Sequence, residues 1–271
     1  GAALTTTSPL FGTACMNFDG TDDYVEIPQI SGATTDKLNW NTDDFTLELA
    51  FYPDAINGTY QILFGRQAST GTTNTLFQLR ISTTNKLEMV VRGDGSATTY
   101  TTTGTTTITQ GVWHRAAVAR AAGVFRLFLD GVLEGTLTQS LSLFNTGMRA
   151  SLGCLFLQGS DARSLFFDGK MDEFRLSKNV GRYVMAYTVD TAAFNSAECG
   201  AQPDVAVDYA HTYLLASLND APALMSGRKM DSRTTTERTI TRYGGATLDA
   251  AVELFAEDTS SIPAAGTSYM R

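Results

Sequence analysis

The feature that most constrains this chain is a two-residue alternation of apolar and polar side chains, repeated from about residue 14 to 177. In FTLELAFY, Phe45, Leu47, Leu49 and Phe51 share one face, while Thr46, Glu48 and Tyr52 take the other. In LFQLRIS, Phe77, Leu79 and Ile81 oppose Gln78 and Arg80. In KLEMVVR, Leu87, Met89 and Val91 oppose Glu88 and Arg92. Successive side chains leave opposite faces of a strand, so this period predicts antiparallel sheets with one face in a core and one partly wet. The turn signals DGTDD, ARAAG, LDGV and NTG separate the runs. Many short strands with regular turns predict an all-β, two-sheet antiparallel sandwich. No amphipathic helix interrupts them, which excludes a parallel α/β fold with its crossover helices.

The stretch WHRAAVARAAGVFRLFLDG, 113–131, reads as two strands joined by a short turn. Phe125, Leu127 and Leu129 oppose Arg126 and Asp130, and Asp130-Gly131 signals a second hairpin turn. Trp113 is expected in the core, where a large indole best fills a sandwich interior. His114 is expected to make structural hydrogen bonds, because no Ser or Cys nucleophile with an obvious partner accompanies it.

The formal net charge is -8, a poor match to the phosphates of nucleic acid or of anionic membranes. No apolar run approaches the ~20 residues that span a bilayer, so no membrane insertion is expected. The three cysteines, Cys15, Cys154 and Cys199, are far apart and lack metal-ligand spacing. They read as buried free thiols, with one disulfide as the alternative. Thr is over-used and Lys scarce; Thr suits large sheets with wet faces.

Composition shifts after about residue 187. VAVDYAHTYLLASL, 205–218, suits a helix or a strand, and 226–245 is polar and locally basic. TLDAAVELFAED, 247–258, reads as a short amphipathic helix with Thr247 as N-cap and Leu248, Ala251, Val252 and Phe255 on one face. The expected division is a sandwich domain, 1–187, and a smaller mixed or extended appendage, 188–271, that docks on other subunits of an assembly.

The segments MNFDGTDDYVEIP (16–28), DDFTLELAFYP (43–53), GVWHRAAVAR…FRLFLDGVLEG (111–135) and FDGKMDEFRLSKNVGRY (167–183) follow one another in an informative order. Together they resemble a laminin G-like, concanavalin A-like jelly roll over residues 10–185. Such domains bind sugars, proteins or sulphated glycans, decorate enzymes, or build assemblies, so the resemblance implies a fold more sharply than a function. It also implies that the closing strand pairs with the opening one.

That pairing would bring Asp172 near Asp19, Asp22 and Asp23, where many relatives carry a structural Ca²⁺. By alternation Asp172 shares a face with Phe174 and Leu176, and a carboxylate on a core-facing register needs a partner. Either Asp19, Asp22, Asp23 and Asp172 surround Ca²⁺ with backbone carbonyls, or Asp172 accepts backbone N–H groups and the others make a turn. Glu173 and Arg175 face the other way and are expected to pair across strands.

A sugar site would use aromatic rings and planar polar groups. Tyr52, Tyr60, Arg80, Arg92 and Tyr100 are the candidates, being on polar strand faces or loops. No E-x-D-x-E strand of a jelly-roll glycosidase is present; Glu48 stands alone. Arg92-Gly93-Asp94 and Asn57-Gly58-Thr59 read first as turns, ahead of adhesion and glycosylation motifs. TTYTTTGTTTIT, 98–109, reads as two Thr-rich strand pieces around Gly104. The functional expectation is a non-enzymatic, lectin-like adhesion module for a glycan or host-surface receptor. It would be oligomeric and anchored in a larger assembly, a virus particle as a phage tail, fibre or capsid-decoration protein, at the virion surface or outside cells. A secreted or cell-surface carbohydrate-binding protein and a polysaccharide-acting enzyme are the alternatives.

Overall fold

The alternating segments form strands whose apolar faces meet. The computed structural model describes residues 2–27, 38–67, 76–143, 149–157 and 162–194, with the backbone of 212–217, 241–243 and 253–254. The strands are β1 (Ala3–Thr5), β2 (Cys15–Asp19), β3 (Tyr24–Ile27), β4 (Phe45–Pro53), β5 (Gln61–Gln67), β6 (Leu76–Ile81), β7 (Lys86–Arg92), β8 (Tyr100–Thr107), β9 (His114–Ala121), β10 (Val124–Leu129), β11 (Val132–Thr138), β12 (Ala150–Leu152), β13 (Leu155–Leu157), β14 (Ala162–Ser164), β15 (Asp168–Lys178), β16 (Thr212–Ser217), β17 (Thr241–Tyr243) and β18 (Glu253–Leu254). No helix occurs among the described residues.

Two sheets stack as an antiparallel jelly-roll sandwich. The first runs β1-β2-β15-β4-β9-β10-β11, with β16 also on β15 and β18 on β16; the second runs β17-β3-β12-β5-β6-β7-β8, with β13 on β5 and β14 on β13. Opening and closing strands pair from Asp168↔Asp19 to Met171↔Met16. Every inward residue of the alternating runs quoted above, Phe45 to Phe51, Phe77 to Ile81, Leu87 to Val91 and Phe125 to Leu129, lies in one core. At its centre Trp40 stacks on Phe45 at 4.3 Å and meets Phe77 edge-on at 5.1 Å.

Trp113 does not share that core. It is half-buried in the loop before β9, its indole N–H donating to Ser8 O at 3.0 Å. Asp130 and Gly131 both adopt positive φ, 52° and 80°, as a tight hairpin turn requires. His114 is structural: Nδ1 meets Asp130 Oδ2 at 2.7 Å and Nε2 meets the Thr109 carbonyl at 3.0 Å. The Thr-rich stretch forms one strand, β8, with a register shift opposite Lys86–Glu88. There Glu134 of β11 accepts from the backbone N–H groups of Thr105 and Thr106, stitching the edge strands of the two sheets.

The alternation fails at β15. A bulge separates Asp172↔Ala50 from Arg175↔Glu48, and Glu173 takes a φ of 50°. The extra residue resets the parity. Met171, Phe174 and Leu176 enter the core, whereas Asp172 pairs with Ala50, outside it. The expected face shared by Asp172 and Phe174 is therefore corrected. Asp172 instead accepts from the N–H groups of Phe11, at 3.3 Å, and Glu173, at 2.9 Å.

Residues 179–194 cross the outer face of the first sheet as a strap. Thr46 Oγ1 donates to Val180 O and accepts from Arg182 N–H. The Tyr183 hydroxyl donates to Glu48 Oε1 at 2.8 Å, and Tyr183 stacks on Tyr187 at 3.6 Å. Arg175 pairs with Glu48, its strand-opposite neighbour, at 2.8 Å, while Glu173 accepts from Phe194 N–H. Burial opposes ionisation of Glu48, but the charge and hydrogen bond of Arg175 prevail and hold its carboxyl below the usual range.

Cys15 and Cys154 are buried free thiols, each pushed up to about 12 chiefly by burial; Cys199 lies outside the described residues. Of 205–218, residues 212–217 are strand, antiparallel to β15. Of the expected helix 247–258, Glu253–Leu254 are strand instead, their backbone paired with β16; its other residues, including Leu248, Ala251, Val252 and Phe255, lie outside the described ones.

Burial, and then the Glu173 charge, raise Asp172 to about 7. The folded chain therefore keeps a proton there that the unfolded chain has already lost. This contribution to stability is fully present below the ordinary carboxylate range and is lost as pH rises to about 7. Asp172→Asn lacks the titration. Between about pH 5 and pH 8 its stability should improve relative to wild type by on the order of 2 kcal/mol, read from denaturant unfolding at both pH values.

Candidate functional site

The turn after β2 gathers three of the four expected metal ligands. The carboxylates of Asp19, Asp22 and Asp23 lie within 4.8 Å of one another. Asp19 Oδ1 accepts from the N–H groups of Thr21 at 2.8 Å and Asp22 at 3.3 Å, and Asp23 Oδ2 accepts from Asp19 N–H at 2.9 Å. Asp172 is not with them. The register sets Asp168 opposite Asp19, and Asp172 stands four residues farther along β15, roughly 13 Å at the rise of a strand. Gly20 makes room for this neighbour: a Cβ there would come within 2.8 Å of Asp168 Cβ. Burial and then the charges of Asp54 and Asp19 raise the Asp168 carboxyl. An all-carboxylate donor set suits a hard cation such as Ca²⁺, although some of its oxygens already accept backbone N–H groups.

The five expected sugar-contact residues divide between places. Tyr60 and Arg80 come together: the Arg80 guanidinium carbon lies 3.9 Å from the Tyr60 ring centroid. Arg80 donates to Glu88 Oε1 from Nε at 2.8 Å and to Gln78 Oε1 from Nη1 at 2.8 Å. Glu88 accepts from Thr103 Oγ1 at 2.8 Å, and Gln78 donates to Gln67 Oε1 at 3.3 Å. A polar line thus runs across β5, β6, β7 and β8, on the side of the second sheet away from the core. Tyr60 and Arg80 are half-buried, and Thr101 and Thr103 exposed. Arg92 is on the same side of β7 as Glu88, beyond Val90.

The other two candidates fall elsewhere. Tyr100 pairs with Val91, a core residue, and packs against the core, because its position in β8 has inward parity. Tyr52 is on β4 in the first sheet, edge-on to Trp113 at 5.7 Å. Gln67, Gln78, Glu88 and Thr103 were missed as members of the polar line. The alternation placed Gln78 and Glu88 on the wet face, but only strand register makes them neighbours of Arg80.

The two short motifs are turns. Asp94 N–H bonds Ser142 O at 2.7 Å and Ser96 N–H bonds Gly93 O at 3.2 Å. Thr59 N–H bonds Asn57 Oδ1 at 3.2 Å. Glu48, the one glutamate of β4, is buried beneath the strap with both carboxylate oxygens engaged.

The family model described as the concanavalin A-like lectin/glucanases superfamily matches residues 19–180. Among solved structures, the chain is similar to a Bacteroides ovatus protein whose name assigns it, by inference, to carbohydrate binding; identity is 17%, coverage 88% of this chain and 58% of that one, and the TM-score 0.50. It is also similar to the CBM40 of the Ruminococcus gnavus IT-sialidase, with 18% identity, 64% and 94% coverage and a TM-score of 0.49. Domain 4 of AbnA, a GH43 extracellular arabinanase from Geobacillus stearothermophilus solved with arabinotriose, gives 16% identity, 65% and 74% coverage and a TM-score of 0.47. No curated protein compared with the chain matches it. With the matched span covering more than half of the 271 residues, and the sandwich in place, the chain belongs to the concanavalin A-like lectin/glucanases superfamily.

Proposed function

We propose that the chain is a non-enzymatic, lectin-like module that binds a glycan on the second sheet, at Tyr60 and Arg80. The observation that carries this reading is the Arg80 guanidinium, stacked on Tyr60 at 3.9 Å and fixed in plane by Glu88 and Gln78. A stacked, hydrogen-bonded guanidinium meets a ligand without first losing side-chain freedom. The first sheet offers less, since the strap covers Glu48, Arg175 and Ser177 on its outer face. The same cover, with Glu48 held ionised, disfavours a glycosidase reading. The family match and the likeness to the Bacteroides ovatus protein support the choice of glycan. On a glycan array, wild type should bind and Tyr60→Ala and Arg80→Ala should each weaken binding roughly tenfold. Absence of binding to any glycan sinks the reading.

Ca²⁺ is proposed at Asp19, Asp22 and Asp23, where it would neutralise their mutual repulsion and tie the turn between β2 and β3. Millimolar Ca²⁺ should raise the unfolding midpoint by a few degrees, as ligand linkage requires, and Asp22→Asn should remove most of the gain. An unchanged midpoint would dismiss the ion.

Residues 188–271 are proposed to anchor the module in a larger assembly, a virus particle by preference, displayed at its surface. The Thr-rich, Lys-poor composition supports this. A secreted or cell-surface carbohydrate-binding protein is the second reading. Light scattering on the full chain should show an oligomer under the assembly reading and a monomer under the second.

A further inference from the structure

A pair of aromatic rings on the first sheet is absorbed neither by the core nor by the Tyr60–Arg80 line. Tyr52, near the end of β4, and Trp113, just before β9, are both half-buried and stand edge-on at 5.7 Å. A solvent-facing surface adjoins them. Thr109, Gln110, Gly111 and Val112 are all exposed, Val112 by 43%.

The polar groups around the rings are pinned. Trp113 Nε1 donates to Ser8 O at 3.0 Å. Lys170 donates to both oxygens of Asp54, at 2.7 and 2.5 Å, with its ammonium 4.7 Å from the Tyr52 ring centroid. Gln110 donates from Nε2 to Asp54 O at 2.8 Å and accepts from Ile56 N–H at 3.3 Å. Gly111, at a φ of +77°, puts no side chain near Tyr52; a Cβ there would lie 3.7 Å from the Tyr52 hydroxyl.

We propose that Trp113 and Tyr52, with Gln110, Asp54 and Lys170 at their rim, form a second saccharide subsite for an uncharged pyranose or furanose ring. It rests on the reading of the chain as a glycan-binding module and adds a contact surface on the other sheet. The C–H face of a sugar ring packs on an indole, while hydroxyl groups need donors and acceptors fixed beside it. Trp113 supplies the apolar face. Asp54, Gln110 and the Tyr52 hydroxyl supply acceptors and donors. Asp54 and Lys170 cancel as charges, which favours a neutral sugar over an acidic one. Their mutual bonds hold them in place before a ligand arrives, so little ordering cost falls on binding.

The chain reports on this site directly, because it has two tryptophans and Trp40 is fully buried. Tryptophan emission of the full chain is followed during titration with cellohexaose, xylohexaose and arabinohexaose, with hexagalacturonate as the acidic comparison. At least one neutral hexasaccharide should shift the emission, and hexagalacturonate should bind roughly tenfold more weakly. Trp113→Phe, which also gives up the hydrogen bond to Ser8, should abolish the shift while leaving Trp40 emission as in wild type and the chain folded by circular dichroism. Gln110→Ala, an exposed change, should weaken the neutral ligand several-fold. Tyr60→Ala should leave the shift intact even where it lowers binding to the second sheet. The inference is overturned by silence of all three neutral sugars, by a shift that survives Trp113→Phe, by preference for the acidic sugar, or by loss of the shift in Tyr60→Ala. Array binding that depends on Tyr60 and Arg80 alongside a silent Trp113 would sink this subsite and keep the main reading.

Discussion

The closing strand β15 is the constraint from which the rest of the molecule follows. It lies between β2 and β4, and so joins the start, middle and end of the jelly roll in one sheet. No local sequence can close such a sheet, because its partners are separated by more than a hundred residues. The bulge at Asp172 and Glu173 lets one strand serve two surfaces. Before it, Met171 feeds the core; after it, Phe174 and Leu176 do the same on a shifted parity, while Arg175 turns outward to Glu48. Without the extra residue, the core residues on one side of Asp172 would face solvent.

The outward side of that sheet is then expensive to leave open, since it carries buried charge. Glu48 and Arg175 sit deep beneath the strap, the strap's own Arg182 is buried against them, and Tyr183 gives Glu48 a hydroxyl donor. Such a network contributes little net stability relative to an apolar face, but it penalises any arrangement that separates its members. It holds residues 179–194 in one register on the sheet. Much of the first sheet's outer face is covered by the strap, so the glycan contacts proposed above fall on the second sheet and on the loop before β9.

Much of this was legible from residues alone. The inward sets of β4, β6, β7 and β10 follow the alternation residue by residue, and the Asp130-Gly131 turn and structural His114 follow from local chemistry. Trp113 was misread because both tryptophans precede strands, and nothing local says which indole the core will take; Trp40 occupies it. Asp172 was misplaced because a bulge leaves no signature in a hydrophobic pattern that continues on either side of it. Tyr100, Tyr52 and Tyr60 all read as lying on polar strand faces or loops, and only cross-strand register separates them.

By itself the sequence determined the kind of object this is: strands, turns, an apolar inner face for each strand, and the order of segments that marks the jelly roll. Those properties depend on a residue and its near neighbours, where side-chain period and turn chemistry act. Tertiary structure alone decided which carboxylates meet, which tryptophan is buried, and which tyrosine stands beside Arg80. Those outcomes turn on register between strands distant in the chain, where a shift of one residue exchanges the two faces of a sheet.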